Sequence, residues 1–131
     1  MLAPLGVVLA AVLATPLTLD LVVHGRATAE LGGTVVLRGT LQCSVPTLLT
    51  FEGVVVESFR HGDSAVGTFA TEVECGTMPT PWTVTVTSEN GVPFRPGFAS
   101  ADVSAIGFDP EFGVFAGVQS FVLLHLTRSP R

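Results

Sequence analysis

An all-β fold, an antiparallel β-sandwich of about seven strands, is what this 131-residue sequence predicts. Three observations lead there. Val and Thr recur in short runs that alternate apolar and polar residues, the period of a half-buried strand. Gly, Pro and Asn-Gly signals interrupt these runs about every ten residues, as turns do. Beyond the first residues, no segment sustains helical periodicity. The composition agrees: 47% hydrophobic and 13% charged residues, with 14 Gly and 9 Pro, fit a packed strand-and-turn domain and not a disordered chain.

The elements follow in order. "LDLVVHGRATAEL" (19–31) puts Leu19, Leu21, Val23, Ala27, Ala29 and Leu31 on one face, with Asp20, His24, Arg26, Thr28 and Glu30 on the other. It reads as one half-buried strand. After Gly32-Gly33, "TVVLRGTLQC" (34–43) turns Val35, Leu37, Leu41 and Cys43 inward. A loop at 44–49 leads to "TFEGVVVESFR" (50–60), apolar on both faces and so expected in a central place. "HGDS" is a turn, and "AVGTFATEVEC" (65–75) is the next strand, with Phe69, Val73 and Cys75 on one face. "WTVTVTSE" (82–89) alternates with Trp82, Val84 and Val86 inward. "NGVPFRPG" is loop, "FASADVSAIGFD" (98–109) a weakly patterned strand, "PEFGVFAG" a connection, and "VQSFVLLHLTR" (118–128) the last strand.

The opening residues "MLAPLGVVLAAVLATP" have the length and composition of a secretory signal, with Val12 and Ala14 as small residues before a cut. Residues 1–14 are therefore assigned to a signal peptide and 19–131 to a single domain. No Lys or Arg precedes the apolar run, a departure from the usual signal. The competing reading is a membrane anchor. Against it, Thr15, Pro16, Thr18 and Asp20 interrupt the run before the ~20 residues a span needs, so no stable span is expected after processing.

Net charge is −5, and all six basic residues are arginines scattered singly. No basic stripe exists to follow a phosphate backbone, which excludes nucleic acid as an expected partner.

Two cysteines, Cys43 and Cys75, both face inward by alternation. In an exported chain they are expected to form one disulfide; two separate buried thiols are the other reading. A closed loop of this length would stabilise the fold by about 3–4 kcal/mol. There is no CxxC for redox chemistry, and too few Cys and His at ligand spacing for zinc. No metal or cofactor is expected.

True immunoglobulin domains place their tryptophan between the cysteines, whereas here the order is Cys43, Cys75, Trp82. "VVLRGTLQC", "VECGTMPTPWTVTV" and "FRPGFA", spread over about residues 33–106, resemble a different set. They are similar to segments of small secreted actinobacterial proteins with one disulfide and no assigned function. That resemblance implies an immunoglobulin-like sandwich outside the cytoplasm and brings no catalytic residue with it.

Candidate chemistry is thin. His61, Asp63 and Ser64 are the residue types of a hydrolytic triad, but neighbours in one turn cannot converge as nucleophile, base and orienter. Glu72 and Glu74, with Glu52 and Glu57 on a neighbouring strand, could act as a glycosidase pair, yet they alternate with apolar residues as a wet face does. His24, His61 and His125 lie far apart, and Asp109 and Glu111 lack a ligand-rich loop for calcium. "CGTMPTP" could offer Met78 to a protease as a substrate-like inhibitor does, although Pro79 would sit just past the scissile bond. Phe94, Phe98, Phe108, Phe112 and Phe115 would form either a binding patch or the filling of a long loop folded over the core.

The expectation is a non-enzymatic binding or structural module, secreted or associated with the cell envelope. Its partner would be a protein or envelope polymer, and Met78, Phe94 and Phe98 are its candidate binding residues. The alternatives are a protease inhibitor using residues 76–80 and a weak carbohydrate-binding module.

Overall fold

The computed structural model describes residues 15–129; the signal-peptide assignment to residues 1–14 lies outside them. Eight strands carry the chain: β1 (Leu19–Val23), β2 (Arg26–Ala29), β3 (Val35–Cys43), β4 (Thr47–Ser58), β5 (Ser64–Cys75), β6 (Thr80–Ser88), β7 (Gly97–Asp109) and β8 (Val114–Arg128). No helix among the described residues is long and apolar enough to cross a membrane.

The expected immunoglobulin-like antiparallel sandwich is corrected: the strands form a closed, mixed β-barrel. Each of β3, β6, β5, β4, β7, β8 and β2 pairs with the next, and β2 returns to β3. The ring has seven members because β1 and β2 are two halves of one stave, both antiparallel to β3. One seam is parallel. Arg26, Ala27, Thr28 and Ala29 of β2 run alongside His125, Leu126, Thr127 and Arg128 of β8.

The single strand expected at 19–31 is broken at His24 and Gly25. The His24 N–H still donates to Arg38 of β3, whereas the Gly25 carbonyl accepts from His125 of β8. Glycine inside a strand marks such a change of direction. At this point the stave turns from β3 towards the last strand, and the turn closes the barrel. Closure removes sheet edges, which otherwise offer unpaired backbone groups to other chains.

Alternation sends one residue in two inward, where Leu37, Leu49, Phe51, Val55, Val103, Leu124 and Leu126 are almost wholly buried. Burial of each such side chain is worth about 1.5–3 kcal/mol. Phe51 sits at the centre, with its ring 4.8 Å from Trp82 and 5.3 Å from Phe69. Trp82 faces inward as expected, although its indole N–H finds no protein acceptor. Gly39 lies opposite Trp82 in the β3–β6 pair. A Cβ there would come within 2.6 Å of the indole and would collide with the Val22 carbonyl, so this close approach needs glycine.

Cys43 and Cys75 form a disulfide, with Cα atoms 5.7 Å apart. It joins the ends of β3 and β5, strands that β6 separates in the sheet. The Cys43 N–H also donates to the Gly76 carbonyl, fixing the turn that follows.

Candidate binding surface

The outer face of β8, β7, β4 and β5 is a regular grid. Register places Phe115, Phe108, Leu48 and Glu74 in one row, with Gln119, Ser104, Glu52 and Ala70 further along. Phe121, Asp102, Val54 and Thr68 form the next row, followed by Leu123, Ser100, Val56 and Val66. His125 and Phe98 close it, their rings stacked 5.0 Å apart.

The apolar members of this grid face water. Phe98, Phe121 and Leu123 are 78%, 68% and 75% exposed. Phe98 and Leu123, with Val56 and Ser58, line a shallow depression that also takes in Ala99 and Ser100. At the opposite end of the same two strands, Phe108 and Phe115 meet edge to face at 5.3 Å, both exposed. A polar belt separates the patches: the Gln119 amide donates to the Asp102 carboxylate at 2.8 Å, beside Ser104 and Glu52. Exposed apolar side chains are thus grouped at both ends of the β7–β8 face.

The phenylalanine-rich stretch thus divides. Phe94 is buried inside the barrel, so of the three candidate binding residues it fills the core. Phe98 and Met78 are on the surface. Phe108, Phe112 and Phe115 are outside too, on a β7–β8 hairpin and not on a loop folded over the core. Phe121 and Leu123 escaped the sequence reading. "FVLLHL" is apolar at both parities, and its doubly apolar character was the available signal.

The other candidates stay dispersed. His61 lies within 3.3 Å of Asp63 in an exposed turn and stacks on Phe59. No group of three or more metal-ligating side chains exists among the described residues. Glu52, Glu72 and Glu74 point outward, while Glu57 points inward and is 2% exposed. The four glutamates therefore do not share a cleft.

Glu57 instead holds a loop. Its Oε1 accepts the Arg95 N–H at 2.8 Å, and the Arg95 guanidinium lies 5.1 Å over the Phe59 ring. Gly97, at a φ of 145°, brings the backbone close to the carboxylate. Burial raises the Glu57 pKa from its ordinary value, opposed by the Arg95 N–H and the Arg95 charge. Asp109 plays the matching part at the other end, accepting from Leu17, Glu111 and Phe112 N–H groups. Asp109 and Glu111 thus organise a turn.

The fold and surface define a small all-β protein with one disulfide. The chain is similar to the sporulation control protein Spo0M of Bacillus subtilis, at 11% identity and a TM-score of 0.37, over 85% of this chain and 50% of that one. It therefore spans half the length of the solved structure it matches. No family model matches the sequence, and no curated protein does.

Proposed function

We propose that this chain is a non-enzymatic binding module, secreted or held at the cell envelope, that takes its partner on the outer face of β7 and β8. The observation that carries this reading is the exposed cluster of Phe98, Phe121 and Leu123 on a rigid pair of strands. An aromatic and aliphatic patch anchors a partner by desolvation, and sheet residues hold it in place at little entropic cost. Location outside the cytoplasm draws support from the disulfide, which persists where thiols are oxidised. The signal-like residues 1–14 and the resemblance to small secreted actinobacterial proteins point the same way. Non-enzymatic action is supported by the dispersal of the candidate carboxylates and histidines. An apolar patch beside a polar belt would suit a protein or envelope polymer as partner. The chain's only tryptophan is buried and so offers a carbohydrate no stacking platform.

Photo-crosslinking in the producing cell tests this. A photoreactive residue at Leu123 should give one discrete adduct, whereas the same residue at Leu31, exposed in the turn after β2, should give none. Equal labelling from both positions, or none from Leu123, would overturn the reading.

A further inference from the structure

One seam of the barrel is joined only at its ends. β5 and β6 share two register pairs, Gly67 with Ser88 and Thr68 with Thr87. Past these, residues 69–75 of β5 pair with β4 alone, and residues 80–86 of β6 pair with β3 alone. The far end is tied again, by the Cys43–Cys75 disulfide and by the Cys43 N–H on the Gly76 carbonyl. Between the two ties no ladder joins the strands.

Water enters there. Ala70, Thr71 and Glu72 are exposed in succession, where alternation in a sealed wall buries every second residue. Thr71 breaks the pattern. It shares the inward parity of Ala65, Gly67 and Cys75, all buried, and lies opposite the fully buried Phe51. Phe69 and Val73 on the same inward side are only half-buried, as is Val84 of β6.

The paired end fixes the direction of the backbone groups. The Val66 carbonyl accepts from the Glu89 N–H, and the Thr68 N–H donates to the Glu89 carboxylate. Alternate residues of an antiparallel strand turn both backbone groups to the same side, so Ala70, Glu72 and Glu74 aim theirs into the seam. On β6 the residues in step with Thr87 are Thr85, Thr83 and Pro81, and Pro81 has no N–H to offer. β5 therefore carries the more complete edge. Glu72 and Glu74 are exposed beside it, and neither forms an ion pair among the described residues.

We propose that the β5–β6 seam accepts an extended peptide strand, which pairs with the edge of β5 and sets basic side chains against Glu72 and Glu74. An unpaired edge is a template for an added strand, with main-chain bonds giving affinity and alternate side chains giving selectivity. Outward side chains of the added strand face the two glutamates across the new ladder, where opposite charges attract. Inward side chains cover Phe69, Val73 and Val84, so the partner alternates basic and apolar residues. β4 and β5 separate this seam from β7, so it is distinct from the Phe98–Phe121–Leu123 patch. Either surface can fail its test without the other.

The test uses the full isotope-labelled chain with its disulfide formed, and amide exchange followed by NMR. In the free protein, the Ala70, Glu72 and Glu74 amides should exchange as fast as those of exposed turns. Phe69, Thr71 and Val73, bonded to β4, should be protected. The probe acetyl-Lys-Val-Lys-Val-Lys-Val-amide should then protect the three fast amides. The double variant Glu72→Gln, Glu74→Gln should bind the probe roughly threefold to tenfold more weakly. The same peptide with every backbone nitrogen methylated keeps its charge and should not bind. Slow Ala70, Glu72 and Glu74 amides before any peptide is added would overturn the proposal, because the seam would already be laddered. Failure of the probe to protect them at millimolar concentration would overturn it as well. Equal binding of the methylated peptide would replace strand addition with a contact of charges alone, and unchanged affinity in the double variant would remove the basic partner.

Discussion

Glu57 carries a carboxyl group in a place from which the barrel has excluded water. Its one hydrogen bond from Arg95 and the nearby guanidinium do not offset that loss, so its folded pKa stands above the unfolded one. Between the ordinary glutamate value and the raised folded value, the native state binds more proton than the unfolded chain. Stability therefore falls as pH rises through that window, and below it the contribution of this group is constant. Glu57→Gln keeps an oxygen for the Arg95 N–H and removes the charge. Urea unfolding at a series of pH values should show the fall in wild type and its loss in the variant. An unchanged slope would mean that another group titrates. The charge and size of Glu57 are plain in the sequence, but its inward side is not. "VVVESF" is apolar at both parities around it, so alternation sets Glu52 and Glu57 on opposite faces without saying which of the two faces inward.

The first stave shows what an element-scale pattern can and cannot convey. Alternation over 19–31 places Leu21, Val23, Ala27 and Ala29 inward, and all four are buried, whereas Leu19 is half-buried and Leu31, on the same face, is 67% exposed in the turn. It also suggested one strand with one partner. Gly25 divides that stave, and β2 then lies parallel to β8, about a hundred residues away in sequence. Pairing of this kind leaves no mark on hydropathy, since a strand in a sandwich and a stave in a barrel bury the same face. The parallel register is open to a direct check. Thr28 and Thr127 are opposite one another in it, so the pair Thr28→Cys and Thr127→Cys should oxidise to a second disulfide, mapped by peptide mass after digestion. Free thiols at both positions in the native, oxidised protein would contradict the closure.

At the scale of the whole molecule, the barrel satisfies its core and leaves an uneven surface. Phe51, Trp82 and the aliphatic residues around them fill the interior, and the disulfide ties the ends of two strands. Large apolar side chains remain outside along β7–β8 and on the loops of the disulfide end, as well as singly at Val22, Leu31 and Leu48. Phe98 and Met78 were legible as surface candidates because each is next to a loop rich in proline and glycine. Phe94 was not, since the same loop also sends one aromatic inward to close the barrel. Phe121 and Leu123 were hidden because only the completed grid reveals which of two apolar parities faces water. Binding at this face requires these side chains to be outside the fold and free for a partner. Unfolding of the triple variant Phe98→Ser, Phe121→Ser, Leu123→Ser, followed by intrinsic fluorescence in urea, tests that most directly. Exposed substitutions of this kind are expected to change the unfolding free energy by less than about 0.5 kcal/mol each. A combined loss above about 4 kcal/mol would place the three residues in the core and contradict the binding surface.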